Sequence, residues 1–140
     1  VVLYLAGLAV ALAAIPGCGQ NALRSHATTA LVAMHAERVA DDLYLAHLDA
    51  SLGECAGDSV CMARVNEEHA PAEAALTITR TAILTYASAI EVANAADGVG
   101  DVISALVALA MELVQRWAEV VAALARVGVE VPSLPLAGSP

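Results

Sequence analysis

At 140 residues, with 59% hydrophobic and only 3% aromatic side chains, the chain has room for one domain and little material for flat stacking surfaces. Fifteen acidic residues oppose six basic ones, all six arginines scattered along the chain, for a net charge of −9. This excludes a nucleic-acid site and a polybasic membrane patch, which need clustered cations, and the lack of any lysine excludes Schiff-base and P-loop chemistry.

Residues 1–15 (VVLYLAGLAVALAAI) carry no charge, and Pro16-Gly17 breaks the run just before Cys18. As a helix they would cover roughly 22 Å, short of the ~30 Å hydrocarbon layer, so the run reads as the core of a secretory signal rather than a membrane span. Together with Cys18 the segment resembles the lipobox of bacterial lipoproteins. Gly17 matches the small residue before the cysteine, Ile15 suits the third position back, and Cys18 would carry the lipid. Pro16 stands where that family has a small or aliphatic residue, and no basic residue precedes the run. The resemblance covers the front eighth of the chain. It implies an exported protein cut after residue 17 and anchored outside the cytoplasm in a bacterial envelope. If residues 1–15 are retained instead, they supply one more helix of a bundle.

Past Gln20 the pattern is helical throughout, with no alternation of the strand type. A first helix is expected from near Asn21 or Ser25 to Leu52, with Val32, Ala36, Val39, Leu43, Ala46 and Ala50 as its apolar stripe and Gly53 as its stop.

Cys55 and Cys61 then flank Ala-Gly-Asp-Ser-Val, a turn-like stretch between two helical patterns. Three cysteines are an odd count, and lipidation of Cys18 leaves these two as a pair. A disulfide here would close a short loop and add about 2 kcal/mol on a chain-entropy argument. A zinc site would want four ligands and closer spacing, and two buried free thiols are the remaining option.

Asp58 or Ser59 caps a second helix, which Pro71 either kinks or restarts. Leu76, Thr79, Ile83, Tyr86, Ile90 and Ala93 keep the three-four spacing before Asp97-Gly98-Val99-Gly100 ends the helix. Asp101 is expected to cap a third helix. Its seam of Ile103, Leu106, Ala110, Leu113, Trp117, Val120 and Leu124 is the cleanest heptad in the chain. Gly128 closes it.

Short connections make the simplest fold an all-α antiparallel three-helix bundle, or four helices if residues 1–15 stay. The expected organisation is a signal-like segment over 1–17, the bundle over 18–128 and a proline-containing extended tail over 129–140.

No catalytic motif stands out. Glu68, His69 and Glu73, beside Glu67, are the densest set of metal-ligand types, with His69 and Glu73 four apart on one helix face; the plainer reading is a solvated charged face. His35, Glu37, Asp41, Asp42 and His47 could join them only by facing that group. Adjacent carboxylates such as Asp41-Asp42 diverge by ~100° and share no proton site. Ser51, Ser88 and Ser104 lack a nucleophile elbow.

A second stripe on the third helix, Val107, Val114 and Val121 at intervals of seven, points to a further helix packing there, from a partner or from self-association. The expected function is therefore a lipid-anchored, non-enzymatic envelope protein with a structural or protein-interaction role, no cofactor and no nucleic acid. The alternatives are a metal- or ligand-binding bundle and an intracellular or virion assembly subunit that keeps its N-terminal helix.

Overall fold

The computed structural model of the chain describes residues 19–95 and 100–131. They form three helices in up-down-up order, α1 (Gly19–Glu54), α2 (Ser59–Ala95) and α3 (Gly100–Arg126). No strand occurs among the described residues. The fold is the expected all-α three-helix bundle. The signal-like segment with Cys18 and most of the tail lie outside the described residues.

α1 runs past the expected stop at Gly53. The reversal comes at Ala56 (φ 49°) and Gly57 (φ 86°), two successive left-handed residues, of which only glycine takes that conformation without strain. Cys55 and Ala56 donate their backbone N–H groups to Leu52 and Gly53, winding the last turn tighter. Asp58, not Ser59, caps α2: its carboxylate accepts from the N–H groups of Val60 (2.9 Å) and Cys61 (3.2 Å). The Cys55–Cys61 disulfide closes this tip, with Cα atoms 5.5 Å apart.

Pro71 does not restart α2, which is one continuous helix from Ser59 to Ala95. Pro71 and Glu67 are both exposed, so the Glu67 carbonyl that the missing N–H leaves without a helical donor is on the solvent side of α2. α3 begins at Gly100, one residue ahead of the expected Asp101 cap. It ends as expected at Gly128 (φ 85°), in a Schellman turn. Val129 donates to the Leu124 carbonyl (2.9 Å) and Gly128 to that of Ala125 (3.2 Å). Val129 is buried and packs in the same core cluster as Leu124, so the packed body continues into the expected tail.

The interior divides into two apolar clusters. One, built on Leu23, Ile83, Tyr86, Ile90, Leu106 and Leu113, lies toward the start of α1. The other surrounds Trp117 with Ala36, Ala40, Ala72 and Ala123, whose small side chains leave room for the indole. Thr79, fully buried between them, donates to the Arg116 carbonyl at 3.3 Å. α2 packs extensively on both neighbours, whereas α1 and α3 touch each other far less.

Candidate functional site

On α3 the heptad seam is buried as expected from Leu106 through Ala110, Leu113, Trp117 and Val120 to Leu124, with Ile103 half-buried at its start. Beside it runs the second stripe, in which Val107, Val114 and Val121 are each half-buried. Met111, Ala122 and Ala125 continue it outward and are exposed.

α1 corrects the sequence reading. The stripe drawn through Val32, Val39, Leu43, Ala46 and Ala50 is not its core face: Leu43, Ala46 and Ala50 are exposed, Val32 and Val39 half-buried, and only Ala36 is buried. The core face lies about a third of the way round the helix. It consists of Leu23, His26, Ala30, Glu37, Ala40 and Tyr44, all buried. Four polar residues on that face (His26, Glu37, Tyr44 and the half-buried His47) disguise it.

The two misfit stripes belong together. Ion pairs to Arg80 fix which side of α1 meets α2, and the Thr79–Arg116 contact fixes which side of α3 does. Helical geometry then turns the Val32–Ala50 stripe and the Val107–Val121 stripe toward the same outer flank, on either side of the α1–α3 groove. This flank carries no charged residue between Val32 and Ala50 on α1 or between Val107 and Ala125 on α3. The exposed side of α2 is mixed instead: Arg64, Glu67, Glu68, Glu73, Arg80 and Glu91 lie there among exposed apolar residues such as Ile78, Leu84 and Val92.

The polar residues of the α1 core face are nearly all matched on α2. His26 Nδ1 lies 2.5 Å from the Tyr86 hydroxyl, with the rings edge to face. Burial lowers the His26 pKa and raises that of Tyr86, so we assign Tyr86 as donor to a neutral imidazole. Glu37, 8% exposed, receives Arg80 Nε at 2.8 Å and Nη2 at 2.6 Å, and Arg80 also reaches Asp41 at 2.9 Å. Tyr44 donates to the His69 carbonyl at 3.3 Å. Burial, with Glu73 and Asp41 nearby, raises the Tyr44 pKa. His47 stacks on His69, ring centroids 5.6 Å apart and 27° from parallel.

The proposed metal-ligand trio is split. Glu68 and Glu73 are exposed, while His69 is 5% exposed and turned inward toward Tyr44 and His47. The charged-face reading therefore fails for His69. Among the described residues no three His, Cys, Asp or Glu side chains come together in a way that could hold a metal. Of the first-helix candidates, His47 meets His69, Glu37 and Asp41 are held by Arg80, and His35 and Asp42 are exposed. The sequence did carry a signal for the polar seam. Leu23, His26, Ala30, Glu37, Ala40 and Tyr44 recur at three, four and seven, a helical period that emerges once polar residues are allowed into it. Among the described residues no helix is long and apolar enough to cross a membrane. No protein-family model, curated protein or solved structure matches the chain.

Proposed function

We propose that this is a non-enzymatic interaction module of the bacterial cell envelope, exported by its apolar front, tethered on a lipid at Cys18 and self-associating through the α1–α3 flank. The charge-free flank carries this reading. A net charge of −9 makes close approach of two copies costly wherever carboxylates face each other. Flank-to-flank docking is the arrangement that keeps the α2 carboxylates apart, and it removes apolar side chains such as Leu43 (39% exposed) and Met111 (43%) from water. Lipid tethering would add to this by raising the local concentration of like chains on one surface.

Light scattering on the purified protein, with Leu43→Asp/Met111→Asp as the comparison, tests the flank. Both side chains are exposed in the protomer, so the variant is expected to keep its helicity. The parent is expected to form a dimer or higher oligomer and the variant a monomer. A parent that is monomeric at tens of micromolar overturns self-association. A flank that is protected only when residues 1–17 are present would instead make that segment its occupant. The tether is tested separately by intact mass from the native host: loss of residues 1–17 with a diacylglyceryl adduct on Cys18 is expected, and a full-length unmodified chain would refute it.

A further inference from the structure

His69 differs from every other buried polar side chain among the described residues. Its Nδ1 is fully enclosed and has no hydrogen-bond partner. Its ring sits between Tyr44, at a centroid distance of 5.7 Å, and His47, at 5.6 Å. From these contacts we propose that the stacked His47–His69 pair is an acid-released latch. It holds the C-terminal end of α1 against α2 at neutral pH and lets that end open when His69 takes up a proton.

The surroundings offer a charge on His69 no buried counter-ion. From α1 the groups facing His69 are Tyr44 and His47, while Asp41, one turn back, is committed to Arg80. On its own helix the flanking carboxylates Glu68 and Glu73 are exposed. After α3 the chain closes over His47 with Gly128, where an added Cβ would lie 3.8 Å from the imidazole. Val129 is buried in the cluster that also holds Tyr44. The charged residues on either side of that turn, Arg126 and Glu130, are exposed. A charge on the enclosed His69 ring would therefore sit against His47 and Tyr44 with no buried carboxylate to offset it.

The other buried histidine, His26, is built differently. Its partner Tyr86 carries a hydroxyl that can turn to accept from a protonated ring, so a charge there keeps one hydrogen bond.

The direction of the pH effect follows from His69. Burial first, and the neighbouring His47 second, lower its pKa from 6.5, against a smaller upward pull from Glu68. The folded chain thus binds fewer protons than the unfolded one. The contribution to stability is complete above pH 6.5 and is lost as pH falls through 6.5 and below. Cys55–Cys61 joins the two helices beyond the latch, so release opens a tethered hairpin tip without separating α1 from α2 at the turn.

Hydrogen exchange on the full chain, corrected for the intrinsic pH dependence of amide exchange, tests this between pH 7.5 and 5.0. Protection over residues 44–52 and 65–73 is expected to fall at least tenfold, and protection over 83–93 and 106–113 to fall much less. His47→Gln should raise the His69 midpoint in an NMR titration and shrink the loss. His69→Leu, of similar volume and without a titratable group, should flatten the response at this end. Unchanged protection down to pH 5.0, an equal loss along all three helices, or a full loss persisting in His69→Leu would each overturn the latch.

Discussion

α1 and α3 flank the same central helix, yet they are held to it by different physics. Every buried position of the α3 seam from Leu106 to Leu124 is apolar. The α1 core face contains His26, Glu37 and Tyr44, each with a partner on α2. Apolar burial is non-directional and tolerates sliding by a turn, whereas a buried polar group left without its partner costs its desolvation. α3 is therefore held mainly by area. α1 is held mainly by register, because a one-turn slip would strand three polar groups at once.

The largest expected effect lies on the area side. Leu124→Ala removes a fully buried side chain from the apolar cluster that also holds Val129, the residue closing the Schellman turn. A loss of about 3 kcal/mol in urea unfolding is expected, in the middle of the range for buried leucine truncations. A loss below about 1 kcal/mol would mean that the α3 end is not packed as described.

The same contrast explains what could be read in advance. The α2 stripe from Leu76 to Ala93 and the α3 seam are legible, because hydrophobicity and burial coincide there at all but Thr79, which is polar and buried, and Ile103, which is half-buried. On α1 they part. A search for apolar periodicity locks onto Val32, Val39 and Leu43, which serve the flank, and passes over His26 and Glu37, which serve the core. No local pattern in α1 announces that Tyr86 and Arg80 lie opposite, since both partners are more than forty residues away in the chain. Pro71 misleads for a related reason: proline ends a helix by local rules, but here the rest of α2 is fixed by packing on two neighbours. Of the candidate site, the α3 half of the flank was visible as valines at intervals of seven. The inward turn of His69 was not, because Glu67, Glu68 and Glu73 around it mark the helix as polar.

On the register side the expected effect is smaller and of another kind. Tyr86→Phe keeps the ring in its pocket but leaves His26 Nδ1 buried without a partner. A cost of about 1–2 kcal/mol is expected at pH 7.5. If the loss belongs to the pair, it should shrink sharply in a His26→Leu background, and a double-mutant cycle reads that coupling directly. Additive losses would show that His26 and Tyr86 each contribute by packing alone, and α1 would then resemble α3 after all.

The smallest expected effect decides which face of α1 is which. Ala46 belongs to the stripe that periodicity selects, but it is exposed; Ala40, six residues earlier, is fully enclosed in the Trp117 cluster. In dilute protein Ala46→Gln should change stability by no more than about 0.5 kcal/mol, while Ala40→Leu should cost about 1–3 kcal/mol through overpacking. The reverse order would move the core face of α1 onto the stripe and abolish the charge-free flank with it. Concentration adds a further discrimination. If two copies meet on this flank, the parent's Tm rises with protein concentration, because association stabilises only the folded state. Ala46→Gln should weaken that rise while leaving the dilute-limit Tm in place, since a side chain at the edge of an interface acts on association and not on the fold of the protomer.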